Sequence, residues 1–344
     1  MWARLADLSL VVEGYDSSRL RAAPAFGHQR RTDLLRLFGD GAEGLGEDIT
    51  TYLPEGAPAP PLDLAGEWTL AGFCEHLAGL EQWTEAPQWD LARRWRNWGY
   101  ESAALDLALR QAGRPLHEVL ERSPRPVRFV NSFGLGDPPQ FATLRRRRER
   151  YPDLRFKLDA EATWSAELLA EVAGTGAVET IDFKGQYGLE VKEPDALVGL
   201  YERVVELFPD AILEDPHDLP GIAEVLAPHA ERVSYDAPIR SADDLASVPI
   251  PARIVNVKPS RIGGLRPLLE LYAHCEAEGI RMYGGGMGEL GVARGQIQLL
   301  ASLFHPDAPN DVAPSSYNDE EPPDGLRPSP LEPRPAATGF RRAE

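Results

Sequence analysis

"LRFKLDAEATWSAELLAEVAGTGAVETIDFKGQ", residues 154–186, decides how the rest of the chain is read. It opens with "LRFKLDAEA", a strand-like run. It passes into "SAELLAEVAGTG", whose apolar residues return at helical spacing. It closes with a second strand-like run, "VETIDFKGQ". A strand, a helix and a strand joined by short loops form one β–α–β unit, and such a unit lays its strands parallel.

The unit repeats. "VRFVNSFG" precedes it, and "AILEDP", "RVSYDAPI", "ARIVNVKPS", "IRMYGGG" and "NDVAPSSYN" follow, each pair separated by a helical stretch such as "DALVGLYERVVELF" or "LRPLLELYAHCEAEG". Eight strands with seven helices between them predict an α/β fold of the TIM-type (β/α)7β barrel class, in preference to an open doubly wound sheet. The first part of the chain has another texture. "LADLSLVVEGY", "DLLRLFGDG" and "AEGLGEDITTY" read as strands, and "DSSRLRAAPAFGHQRR" as a polar loop. "EWTLAGFCEHLAGLEQW" and "ESAALDLALRQAG" read as helices, the second stopped by Gly113. The expected organisation is an α+β domain over 1–124, a barrel over 125–318 and a Pro-rich arm over 319–344. The arm is either a tail or a strap packed back on the first domain.

The formal net charge of −18 argues against a nucleic-acid or anionic-membrane partner, since both would repel it. No apolar run approaches the length of a membrane span, and the start reads as a strand rather than a signal peptide. Cys74 and Cys275 offer neither a disulfide framework nor zinc-ligand spacing. A cytoplasmic protein is expected.

Barrel active sites sit at the C-terminal ends of the strands. Here those ends carry Lys157 and Asp159, then Asp182 and Lys184, then Glu214, Asp236 and Lys258. Residues two apart on a strand share a face, so Lys157 goes with Asp159 and Asp182 with Lys184. Glu214, Asp236 and Lys258 follow one another at intervals of 22 residues, one β–α unit each time. A single Asp at a strand end is also the ordinary N-cap of the next helix. Three acids and several lysines at matched ends call for more than capping. A ring of Asp182, Glu214 and Asp236 would repel itself without a cation inside it, and hard oxygen ligands with open positions suit Mg²⁺.

The order acid, acid, acid, lysine on strands three to six resembles the enolase superfamily. "KPSRIGG" after strand six is similar to its mandelate racemase/muconate lactonizing enzyme group. "DGAEGLGEDI", "ESAALDLALRQAGRPL" and "ILEDP" resemble further stretches of that family. The resemblance implies an N-terminal capping domain over a barrel, with Asp182, Glu214 and Asp236 as Mg²⁺ ligands and Lys258 as the acid/base. Lys157 would match the first lysine of the family's K-x-K pair. The implied reaction is that of a lyase, isomerase or racemase that removes the proton next to a small-molecule carboxylate, through a metal-stabilised enediolate. A homo-oligomer is the family's habit.

This chain departs from the pattern at two points. K-x-K is Lys157-Leu158-Asp159, and D-x-N is Asp182-Phe183-Lys184. Asp159 therefore stands where the second lysine is expected, and it is itself a rival candidate for the first ligand. Lys184 either pairs with Asp159, contacts substrate or supplies the metal's charge. The departures suggest a one-base reaction from Lys258, such as syn-elimination or cycloisomerisation.

Two other readings stay open: a Schiff-base barrel lyase using Lys258 or Lys184 without a metal, and a non-catalytic barrel that binds a small acid with Lys184 in the metal's place. Further substrate contacts are expected from Gly286 in the Gly-rich loop, where backbone N–H groups can approach an anion, and from Glu289 beside it. In the N-terminal loop, His28, Arg30 and Arg31 either meet an anionic substrate or are simply exposed. "RRRRER" at 145–150 reads as the solvated face of a helix.

Overall fold

The computed structural model describes residues 1–25, 28–50, 59–188, 190–191 and 193–343. Strand β1 (Ser9–Val12) is followed by β2 (Gly14–Ala25), β3 (His28–Gly39) and β4 (Ala42–Asp48), which form an antiparallel sheet in that order. The expected polar loop is thus the two arms of a long hairpin. Two of its pairs are opposite charges: Arg19 faces Asp33, and Asp16 faces Arg36. Over residues 16–31 the two arms carry no hydrophobic alternation for a sequence reading to find.

Strand β5 (Gly66–Thr69) pairs antiparallel with β1 and leads straight into α1 (Leu70–Ala78), where Thr69 caps the Gly72 N–H at 3.0 Å. Next come α2 (Leu91–Gln111) and the short α3 (Leu116–Val119). Helix α2 lies on β4 closely enough to exclude side chains. A Cβ on Gly46 would fall 1.9 Å from Gly99 O, and one on Gly44 2.1 Å from Ala103 O. The Gly-x-Gly of this strand is therefore a packing requirement.

The second half is one parallel sheet of seven strands in sequence order. In chain order it runs β6 (Asn131–Gly134), α4 (Phe141–Arg150), β7 (Phe156–Asp159), α5 (Ala166–Gly174), β8 (Val178–Asp182), α6 (Pro194–Leu207), β9 (Ile212–Glu214), α7 (Pro220–Leu226), β10 (Val233–Tyr235), β11 (Ile254–Val257), α8 (Pro259–Ile262), α9 (Leu265–Glu278), β12 (Arg281–Gly284) and α10 (Val292–Phe304). The expected helix over 241–248 is only a 3-10 turn, Asp243–Ala246. The Asp244 carboxylate draws the Arg240 and Ser241 N–H groups onto itself, and prolines flank the segment. An eighth ladder is absent among the described residues. In its place Asn310 makes a parallel bridge to Phe129, and Asp311 one to Gly285, so both edges of the sheet meet residues 310–311.

In α4, Arg147 is buried against the Phe133 ring at 4.6 Å, while Arg145, Arg146, Glu149 and Arg150 are exposed. After the sheet the chain returns to the first half. Phe340 is fully buried edge-on to Trp98, its N–H donates to Asp106 Oδ1 at 2.7 Å, and Arg341 pairs with the same carboxylate. No described helix is long and apolar enough to cross a membrane.

Candidate active site

Register sets the site. Asp159 lies beside Asp182 in the β7–β8 ladder, and Asp182 beside Glu214 in the β8–β9 ladder. Three neighbouring strands thus end in carboxylates at one level. Repulsion among them is answered by lysines. Lys157 is 1% exposed, with Nζ 2.5 Å from Glu214 Oε1 and 3.0 Å from Asp182 Oδ2. Burial would strip its proton, but the Asp182 and Glu214 charges outweigh that and hold the ammonium well above the ordinary lysine value. Glu214 also accepts from Tyr283 Oη at 2.5 Å and Asn256 Nδ2 at 3.1 Å.

Lys184 sits in left-handed backbone, φ 56°, which turns its side chain back over the cluster. Its Nζ pairs with Asp182 and lies 3.1 Å from Asp159 Oδ1. The structure thus joins the two departures from the family pattern to each other. The charge missing from the second lysine position is restored from the next strand.

Asp236 makes a separate knot. Its carboxylate is buried, 2.7 Å from Lys258 Nζ and 3.1 Å from Arg261 Nε. Burial favours its neutral form, and Arg261 and Lys258 overcome this and hold it at about 2. Lys258 is in turn raised: burial opposes its charge, and Asp236 wins. Tyr187 Oη accepts from Arg261 at 3.1 Å, with its ring partly exposed.

The three acids whose oxygens lie within 4.8 Å of one another are Asp182, Glu214 and Asp215. Asp215, directly after Glu214, is the third member of that cluster; Asp236, the third acid expected from the sequence, lies outside it. It too has left-handed backbone, φ 48°, and its carboxylate receives the Asp236 N–H at 2.7 Å and the Ala237 N–H at 3.0 Å. Burial, with the nearby charges of Asp236, Glu214 and Asp182, pushes it up to about 8. The sequence reading passed over Asp215, Arg261, Asn256 and Tyr283. Two of these were within reach: Asn256 is two residues before Lys258 and shares its face, and Arg261 is one helical turn beyond it.

The remaining expected residues lie elsewhere. A Cβ on Gly286 would meet Glu289 Oε2 at 2.5 Å, so this glycine makes room for that carboxylate. Glu289 is buried, accepts the Met287 N–H and pairs with Arg294 at 3.3 Å. The N–H groups at the start of α10 are already taken by Glu47 from the first half. It accepts from Leu290 at 2.6 Å, Gly291 at 3.0 Å and Ala293 at 3.1 Å, with Thr32 Oγ1 at 2.7 Å. Arg31 lies on the hairpin opposite Arg21. Its neighbour Arg30 pairs with Asp319 and donates to Ser315 O at 3.1 Å. The side chain of His28 lies outside the described residues.

The chain is 30% identical to the N-succinylamino acid racemase of Thermus thermophilus, over 91% of this chain and 89% of that protein. It is 26% identical to the o-succinylbenzoate synthase of Geobacillus stearothermophilus, over 63% of this chain and 58% of that one. Among solved structures, a dipeptide epimerase from Methylococcus capsulatus, complexed with Mg and the dipeptide L-Arg-D-Lys, superposes with a TM-score of 0.68 at 20% identity. That match covers 90% of this chain and 92% of the epimerase. The fold is that of a divergent member of the enolase superfamily, of the mandelate racemase/muconate lactonizing enzyme kind. Within it the chain belongs to the family described as domain of unknown function DUF8230. The N-terminal domain of that family matches residues 3–119 and its C-terminal domain residues 123–319.

Proposed function

We propose that this protein is a Mg²⁺-dependent lyase, isomerase or racemase that takes the proton α to the carboxylate of a small molecule, with Lys258 as the acid/base. The observation that carries this is a buried ammonium, Lys258, beside a compact group of buried carboxylates at the ends of adjacent parallel strands. The donor set fits the metal. Asp159, Asp182, Glu214, Asp215 and Asp236 face Lys157, Lys184, Lys258 and Arg261, which leaves one more acid than cation. The group short of a partner is Asp215, raised to about 8, and a divalent cation would relieve it. Asp182, Glu214 and Asp215 would hold Mg²⁺, with Asp236 close by. When bound, the ion supplies a Lewis acid that draws charge out of a substrate carboxylate.

The chain's own residues do the rest. Lys258 holds a proton at Nζ against Asp236; to take the α-proton it must first release that one to water, and Arg261 keeps Asp236 ionised in either state. Lys157 stays charged between Asp182 and Glu214, a fixed cation for the substrate's anionic end. Asp159 stands where a second lysine would face Lys258, and its pairing with Lys184 supports one-sided proton chemistry. Relatives named for N-succinylamino acids, o-succinylbenzoate and a dipeptide support a carboxylate substrate. The bridges at 310–311 support reading the sheet as the closed (β/α)7β barrel, and two free cysteines support a reducing cytoplasm. A homo-oligomer, the family's habit, is checked by gel filtration. The reading is tested by proton exchange in D₂O, with Mg²⁺, against N-acyl amino acids and dipeptides. Deuterium entering the α-position supports it, and no exchange with any carboxylate sinks it.

A further inference from the structure

Glu214 is held from three other strands. Lys157 on β7, at 2.5 Å, and Asn256 on β11, at 3.1 Å, both donate to its Oε1. Tyr283 on β12 donates to its Oε2 at 2.5 Å. A carboxylate has about four lone-pair sites, two on each oxygen. Among the described residues, then, both sites of Oε1 are taken and one of Oε2 is open. Glu214 can give an ion one oxygen and no more. Asp182 shows the same pattern, with Lys157 and Lys184 on Oδ2 and the Lys184 N–H on Oδ1 at 3.0 Å.

The two neutral donors are firmly placed. Tyr283 and Asn256 are buried and stand in register in the β11–β12 ladder, so they share the face that meets Glu214. The phenol has one proton, which goes to Glu214. The Ser234 hydroxyl, 3.0 Å from the phenol oxygen, therefore donates to it from the other side. Ser234 is itself in register with Glu214. Asn256 turns Nδ2 to Glu214 and leaves Oδ1 buried with no hydrogen-bond partner among the described residues. A buried acceptor without a partner is costly. The opposite orientation would set acceptor against acceptor, so the amide stays as it is and its donor stays on Oε1.

A carboxylate limited to one oxygen separates two common ions. Ca²⁺ takes about six to eight oxygens, often both of one carboxylate, in flexible geometry, whereas Mg²⁺ demands a near-ideal octahedron and takes single oxygens. We propose that Tyr283 and Asn256 are positioning residues that hold Glu214 to one open oxygen and so set this site for Mg²⁺ against Ca²⁺. The inference rests on the Mg²⁺ site proposed above. Without Asn256 each oxygen of Glu214 has an open site, and the carboxylate can offer both. Without the Tyr283 hydroxyl Oε2 loses the donor that aims it, which a flexible Ca²⁺ shell tolerates better than an octahedral one.

The test is calorimetry with MgCl₂ and with CaCl₂ on the wild type, Tyr283→Phe, Asn256→Leu and Tyr235→Phe, each checked for an intact thermal melt. The wild type is expected to bind Mg²⁺ the more tightly. The ratio of the two affinities is expected to fall by about tenfold or more in Tyr283→Phe and in Asn256→Leu. Tyr235→Phe is the control. It removes a buried hydroxyl on the opposite face of the neighbouring strand, one that accepts the Ile250 N–H at 3.0 Å, and it should keep the ratio. A merely structural role would lower both affinities alike. If Asn256→Leu does not fold, Tyr283→Phe carries the test. A ratio unchanged in the folded variants, or lowered as much in Tyr235→Phe, overturns the proposal and leaves the Mg²⁺ site standing, as does a wild type that binds Ca²⁺ equally well. A wild type that binds neither ion sinks the Mg²⁺ reading and this inference with it.

Discussion

Lys258 Nζ lies 2.7 Å from Asp236 Oδ2, and the other oxygen of that carboxylate is held by Arg261 at 3.1 Å. One acid thus serves two cations, and the loss of one leaves it paired. Lys258→Ala is expected to keep the fold, with an unchanged thermal melt. It is expected to lower α-proton exchange in D₂O by about 100-fold or more. Exchange at the wild-type rate would remove Lys258 from the chemistry.

Mg²⁺ binding, read by calorimetry, is expected in the wild type and absent in Glu214→Gln. That change removes one of the three clustered carboxylates and leaves Lys157 its contact with Asp182. Equal binding by both proteins would show that the ion sits elsewhere.

Glu47 joins the two halves of the molecule. Glu47→Ala strands three N–H groups and the Thr32 hydroxyl, all of which it now satisfies. The expected loss of stability is roughly 3 kcal/mol, read by urea denaturation. Glu47→Gln is expected to recover part of it. A loss within error would mean that water takes over at this seam.

His305 is fixed where the sheet edges meet, with Nδ1 2.6 Å from Asn310 Oδ1. Burial holds it at about 4, against 6.5 for a free imidazole. As pH falls below 6.5 the unfolded chain takes up a proton that the folded one refuses. Stability should therefore fall between pH 6.5 and 4 by roughly 3 kcal/mol from this group, and stay level above that window. His305→Gln should flatten that part of the curve, read as the difference between the two proteins' melts. Superimposable curves would count against it.

Much of this was legible from the chain. Regular β–α alternation announced parallel strands, and the spacing from Glu214 through Asp236 to Lys258 announced a shared rim. What escaped notice has physical reasons. Over residues 16–31 the arms of the β2–β3 hairpin carry no apolar rhythm, and Arg19 pairs there with Asp33. Asp215 follows Glu214 directly, and a regular strand would send the two to opposite faces. The left-handed backbone at Asp215 breaks that rule and brings both acids to one point. Lys184 returns to Asp159 by the same device. Glu47 was invisible as a fastener because its partners at the start of α10 lie more than 240 residues away, and they are backbone groups, which leave no mark in a sequence.

Asp106, deep in α2, counts the Phe340 amide and Arg341 among its partners. A ribosome makes α2 well before these partners. Until they emerge, a carboxylate in the middle of an apolar helix has lost water and gained only the Leu45 N–H. The half of the molecule made before the parallel sheet is thus completed only after it. Its assembly must wait for the whole barrel to pass, which ties the two halves into one folding event rather than two in succession.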